Sequence, residues 1–176
     1  AAYDRSKYGD CLSYLEKAEE KRVAMNRVAQ YRMAYCYYRR GDFAKSQTRF
    51  EKVTTEEDTI AQNAYYYLGH CFLKSDKIEN ARTAFKKASE LKYDKELAGE
   101  ALYQYSKASF ETHFFDEAQT ALETYIKDYR SSEYADEAKG LIGEILLFAS
   151  NYKDAIDYLE QNGGLRRAQH IFRSSY

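Results

Sequence analysis

Proline is missing from this chain altogether, tryptophan is missing too, and only 8 of the 176 residues are glycine. With no proline to break a backbone hydrogen-bond ladder and little glycine to loosen it, long uninterrupted helices are permitted from end to end. No apolar run reaches the length of a membrane-spanning helix, which argues against direct membrane insertion by this segment. The formal charge is −1, with both signs interspersed. Such a surface has no broad positive field to track phosphates, so nucleic acid is disfavoured as a partner. Three cysteines, Cys11, Cys36 and Cys71, are an odd number without CxxC spacing. That excludes the arithmetic of a disulfide framework or a thiolate zinc site and leaves packing roles for the thiols.

Reactive patterns are lacking as well. His70, His113 and His170 lie on separate elements, without HExxH, a nucleophile elbow or a Gly-rich phosphate loop. Paired carboxylates such as Glu56-Glu57 and Asp136-Glu137 fall near predicted helix starts, where the helix dipole accounts for them. The sequence therefore predicts no catalytic residue, no metal ligand and no cofactor. What remains is ordinary for a soluble globular chain, 44% apolar and 31% charged, but rich in aromatics through 19 Tyr and 9 Phe.

Those aromatics repeat. In Tyr65-Tyr66-Tyr67-Leu68-Gly69-His70-Cys71-Phe72, large residues at 65, 68 and 72 share one helical stripe; further on, Ala81, Phe85 and Ala88 share another. A small residue recurs at Cys11, Ser46, Ala81, Ala118 and Ala155, in steps of 35, 35, 37 and 37. One turn beyond each stands a large one: Leu15, Phe50, Phe85, Leu122 and Leu159. Two crossing helices need this chemistry, because a small side chain lets the backbones approach to roughly 8–10 Å and a bulky neighbour fills the space beyond. The preceding helices carry matching small residues at Ala34, Gly69, Ser106 and Gly143. Turns within hairpins are predicted at 40–42, 75–77, 112–114 and 150–151, and loops between hairpins at Thr54-Thr55, Tyr93-Asp94 and Arg130-Ser131-Ser132. Thr54 with Glu57 reads as a capping box. After Asn162-Gly163-Gly164, residues Leu165, Ala168, Ile171 and Phe172 space as one more amphipathic helix.

A period just above 34 resembles the tetratricopeptide repeat family over essentially the whole chain. The phrases Ala61-Gln62-Asn63-Ala64-Tyr65-Tyr66-Tyr67-Leu68-Gly69 and Tyr129-Arg130-Ser131-Ser132-Glu133-Tyr134-Ala135-Asp136-Glu137-Ala138 are similar to repeats of bacterial cell-envelope members, with Arg130 where such phrases usually have Pro. The resemblance implies an all-α fold, a right-handed α-α superhelix of antiparallel hairpins forming one solenoid domain over 1–176. Its repeats would run roughly over 1–22 (partial), 23–57, 58–93, 94–130, 131–163 and 164–176 (a partial repeat or capping helix). With a half-hairpin at each end and the opening Ala1-Ala2-Tyr3-Asp4-Arg5 lacking Met and any secretory pattern, the chain is read as a processed or excised segment.

In this family the first helix of each hairpin lines a concave groove. Carried onto this sequence, the resemblance implies partner-binding residues Tyr31, Tyr35, Tyr38 and Arg39, then Asn63, Tyr66, His70 and Lys74, then Tyr103, Lys107, Phe110 and Glu111, with Glu137, Glu144 and Leu147 beyond. Tyr31, Tyr66 and Tyr103 would form a ladder suited to an extended protein or peptide segment. Arg39, Lys74 and Lys107 would make one end of the trough basic, and Glu137 and Glu144 the other acidic. The Lys and Asn carboxylate clamp of chaperone-binding members is absent, with Tyr where it wants Lys. The expected work is that of a non-enzymatic interaction scaffold in a bacterial envelope complex, at the periplasm or outer-membrane periphery. Two alternatives stand beside it: sugar rings stacking on the same tyrosines, and self-association through the solenoid ends.

Overall fold

The computed structural model describes the backbone of residues 2–149 and 151–162, with side chains from residue 8 onward. The predicted helix at 164–176, with His170, lies outside the described residues, as does Ser150 of the last predicted turn. Nine helices and no strand are present among the described residues. The chain divides into two compact units, Ala1–Ala101 and Leu102–Tyr176. The first contains α1 (Ala2–Glu20), α2 (Arg27–Arg40), α3 (Phe43–Glu51), α4 (Thr59–Leu73) and α5 (Ile78–Glu90). The second contains α7 (Phe115–Asp128), α8 (Ala135–Phe148) and α9 (Tyr152–Asn162), and α6 (Lys95–Glu111) contributes residues to each. In the first unit each of α1 to α4 packs on the next helix, and α2 also touches α4; in the second, α8 packs on both α7 and α9.

The small-then-bulky register predicted from spacing is what fills the cores. Ser46, Ala81, Ala118 and Ala155 are fully buried, and so are Phe50, Phe85 and Leu122, with Leu159 at 2% exposure. The facing helices meet them through small residues. A Cβ on Gly69 would stand 2.6 Å from the Phe85 ring, and one on Gly143 2.5 Å from the Leu159 side chain. Glycine therefore permits the close approach at both places, where an added Cβ would have to displace the Phe85 ring or the Leu159 side chain. At the corresponding crossing of α2 and α3, Ser46 Oγ donates to the Ala34 carbonyl at 2.9 Å, and Cys71 Sγ donates to Ser46 Oγ at 3.4 Å. Burial pushes the Cys71 thiol up to about 11, so it is a neutral packing group. Only the first copy departs from the register: Cys11 and Leu15 are half-buried and Leu12 takes the core position. Among the described residues helix α1 packs mainly on α2, and it meets α3 through the ion pair of Glu19 with Arg49 at 2.6 Å.

The turns within hairpins share one construction. Gly41, Asp76 and His113 occupy the left-handed region at φ 84°, 55° and 62°. The residue after each donates its N–H five residues back, Asp42 to Tyr37, Lys77 to Phe72 and Phe114 to Ser109, closing the helix end in the manner of a Schellman motif.

The loops between hairpins are tied down by side chains. The predicted Thr54–Glu57 capping box does not form: Thr54 Oγ1 donates to the Glu51 carbonyl, and Asp58 caps α4 by accepting from Ala61 N at 2.8 Å. Asp58 prevails because it also meets Arg27, which donates to both its carboxylate oxygens and to the Val53 carbonyl, at 2.9 Å from Nε and 2.7 Å from Nη2. One repeat on, the position of Arg27 is held by Gln62, fully buried, whose Nε2 donates to the carbonyls of Ala88, Leu91 and Asp94 while its Oε1 accepts from Asp94 N at 2.8 Å. Two different side chains thus tie the equivalent loops of successive repeats at the same place.

Candidate functional site

In the first unit, the predicted positions on α2 and α4 come together as an aromatic face. Tyr31, Tyr35 and Tyr38 of α2 and Asn63, Tyr66 and His70 of α4 are half-buried, and Arg39 and Lys74 are exposed at the helix ends. Partial burial is what a recognition face needs, since a ring held on one side by packing has little freedom to lose when its other side is covered. Tyr31 packs on Phe50, with centroids 5.7 Å apart, and burial pushes its phenol up to about 12. Tyr66 leans on Phe85 at 6.0 Å and on His70 at 4.7 Å, and donates its hydroxyl to Glu100 at 2.8 Å. These phenols stay neutral donors across the physiological range.

Arg39 sits against the same face, its guanidinium 4.6 Å from the centroid of Tyr8 and donating to the hydroxyls of Tyr35 at 3.0 Å and Tyr8 at 3.3 Å. Such a cation over a ring is partly neutralised by the π-system. His70 is held below the usual imidazole range by burial and then by the nearby Lys74 charge, so it is neutral at pH 7. Asn63 turns its amide back to the Thr59 carbonyl at 2.9 Å, which leaves its Oδ1 as the outward-capable acceptor.

Two residues of this face were not foreseen. Tyr67 sits among Tyr35 at 5.0 Å, Tyr38 at 5.1 Å, Tyr66 at 5.4 Å and Phe50 at 5.9 Å, joining α2 to α4. Tyr8 extends the cluster to α1 through an edge contact with Tyr35 at 5.6 Å. The signal was in the run Tyr65-Tyr66-Tyr67, where successive residues turn by about 100° and so cannot all face one neighbour.

The second unit treats its predicted residues differently. Tyr103 is not a groove residue: it is 2% exposed, stacked on Tyr134 at 4.8 Å and tilted against Tyr125 at 5.3 Å. The expected ladder therefore loses its third rung, because the α7–α8 loop delivers Tyr134 as a cover. Lys107 places its ammonium 5.5 Å from the Tyr103 ring and 3.4 Å from Glu137, so a residue of the predicted basic end pairs with one of the predicted acidic end. Phe110 packs with Phe115 at 5.7 Å and Phe148 at 5.9 Å, and Glu111 is exposed at the last residue of α6.

No cluster of three or more His, Cys, Asp or Glu able to hold a metal exists among the described residues, and no described helix is long and apolar enough to cross a membrane. Stacked hairpins presenting aromatic, hydrogen-bonding side chains define a recognition scaffold built from helical repeats. Two tetratricopeptide repeat family models match the sequence, over residues 28–57 and 106–162. The chain belongs to the tetratricopeptide repeat family. No curated protein sequence matches it.

Among solved structures, it is similar to YrrB, described as a TPR protein with an unusual peptide-binding site, at 19% identity and a TM-score of 0.71, covering 89% of this chain and 77% of that one. MamA gives 17% identity and a TM-score of 0.69 over 98% and 96% of the two chains. BtubC (BKLC) from P. vanneervenii gives 17% and 0.63 over 94% and 77%. At such identities the likeness is one of fold.

Proposed function

We propose that this protein-interaction scaffold holds an extended segment of a partner protein along the α2/α4 face of its first unit, without catalysing a reaction. The observation that carries this reading is the half-buried set Tyr31, Tyr35, Tyr66 and Tyr67, with Arg39 over the rings of Tyr35 and Tyr8 at its edge. Rigid rings supply contact area at low entropic cost, which suits an extended peptide. The unusual peptide-binding site of YrrB is consistent with such use of the fold. A setting in a bacterial envelope complex belongs to the same proposal and is supported by the phrases at 61–69 and 129–138.

The test compares wild type with Tyr35→Ser/Tyr66→Ser on a peptide array and in a pull-down from envelope extract, after far-UV circular dichroism has shown both folded. Loss of peptide and partner capture by the variant is the expected outcome. Equal recovery of every partner by both proteins sinks the reading. Retained oligosaccharide binding with no peptide binding by the wild type would favour sugar stacking on the same rings.

A further inference from the structure

The second unit carries a cleft on the other side of α8. It measures about 430 Å³ and opens between the C-terminal half of α7, the loop that follows it, and α8 and α9. Its floor is apolar, made by Ile126, Ala135 and Tyr158, of which Ile126 and Tyr158 rest on the core of the unit. Its rim is basic, made by Lys127, Arg130 and Lys139. Lys139 is steadied by Asp136 at 3.1 Å. Among the described residues, Lys127 and Arg130 have no carboxylate within ion-pair distance. Glu123 is the single acid on the lining. Lys139 lies roughly 140–200° around α8 from Glu137 and Glu144, so this cleft does not use the helix face that the groove positions occupy.

The first unit has the counterpart, and its sign is reversed. There Thr54, Thr55 and Tyr65 occupy the repeat positions of Ile126, Lys127 and Lys139, and the lining carries Glu56, Glu57 and Glu90 against the single cation Lys87. One architecture thus offers an apolar-floored cationic slot in one repeat and an anionic, threonine-floored slot in another. Charge of one sign around an apolar floor selects a ligand with both features: an anionic chain bearing a bulky apolar side chain. An extended peptide rich in Asp and Glu with a central Leu or Phe has that chemistry, the side chain entering between Ile126 and Tyr158 and the carboxylates meeting Lys127, Arg130 and Lys139.

We infer that the α7–α8–α9 cleft of the second unit is a docking site for an acidic, apolar-centred segment of a partner protein, separate from the α2/α4 face.

The probe is the fluorescein-labelled peptide Asp-Glu-Leu-Phe-Asp-Glu, titrated with the full chain by anisotropy. Lys127→Glu/Arg130→Glu, which changes two exposed side chains and is checked for fold by circular dichroism, should weaken binding at least about tenfold. The neutral Lys127→Gln/Arg130→Gln should fall between it and wild type. Tyr35→Ser/Tyr66→Ser should leave the affinity unchanged, so failure here and failure of the α2/α4 proposal are read separately. The inference is overturned if charge reversal shifts the affinity by less than about twofold, or if Asp-Glu-Gly-Gly-Asp-Glu binds as well. It is overturned equally if the peptide fails to bind while phosphatidylserine vesicles capture wild type and not the reversed variant, which would assign the basic rim to a lipid surface.

Discussion

The same residue type at the same place in the repeat does opposite things in the two units. Tyr66 of the first unit keeps part of its ring open, braced from beneath by Phe85 and tethered to Glu100. Tyr103 of the second is sealed under Tyr134. The difference originates in the loops. Inter-hairpin loops of the first unit are tied by Arg27 and Gln62, polar side chains that reach carbonyls and leave the aromatic face alone. At the repeat position of Arg27 and Gln62 the third hairpin has Gly99, and the α7–α8 loop is secured by aromatic means instead, through Tyr134 on Tyr103 and the Tyr125 hydroxyl on Ser132. How a loop is anchored decides whether the neighbouring helix keeps its aromatic ring open.

If both units depend on the same crossing, truncating its bulky member should do the most damage. Phe85→Ala is expected to destabilise by about 3–5 kcal/mol and Leu159→Ala by about 2–5 kcal/mol, measured by urea unfolding. The sharper form is a double-mutant cycle. Gly69→Ala alone drives a Cβ into the Phe85 ring and should cost about 1–3 kcal/mol, whereas in a Phe85→Ala background the collision is gone and the added methyl fills space. Gly143→Ala should cost less than Gly69→Ala, because Leu159 can turn its branched end aside and a fixed ring cannot. Additive effects at 69 and 85 would refute the close approach.

These crossings were legible in the sequence because each depends on residues one turn apart on a single helix, and spacing reports that directly. The all-α class followed from the absence of proline and from the family resemblance. The fate of Tyr103 did not, since its cover comes from a loop whose course no periodicity encodes. The capping of α4 was misread for a related reason: Thr54 and Glu57 satisfy the local pattern, but Asp58 gains a distant partner in Arg27. Within the candidate site, the tyrosines of α2 and Tyr66 of α4 were singled out by the family resemblance, and the structure leaves them half-buried. Tyr67 was hidden because a run of three tyrosines has no single facing direction.

The two loop ties of the first unit can be set against each other by pH. Removing Gln62 as Gln62→Leu leaves buried carbonyls and the Asp94 N–H without their partner and should cost about 1–3 kcal/mol at every pH. Arg27→Met should cost less, because Asp58 is over a third exposed and water replaces part of the lost pairing. Its cost should nonetheless depend on acid. The Arg27 hydrogen bond is the first cause holding the Asp58 carboxyl below its usual range. A depressed carboxylate contributes above its unfolded pKa of about 3.9 and loses that contribution as pH falls through the lower folded value. Urea unfolding should therefore show the wild type's advantage over Arg27→Met shrinking below about pH 4, while its advantage over Gln62→Leu persists. A difference that is flat with pH for both variants would remove Asp58 from the tie.

The smallest effect tests whether the hairpin turns are shared machinery of both units. Gly41 already occupies its left-handed position freely, whereas Asp76 in the first unit and His113 in the second adopt φ 55° and 62° with a side chain attached. Asp76→Gly and His113→Gly should each relieve that conformational cost and stabilise by about 0.5–1 kcal/mol, and Gly41→Ala should destabilise by a similar amount. His113 is exposed but touches Phe115 edge-on at 5.5 Å, so its gain should be the lesser of the two. Thermal melts that move down for all three variants would mean these turns are held by their side chains, and the common backbone closure would not be what ends each first helix.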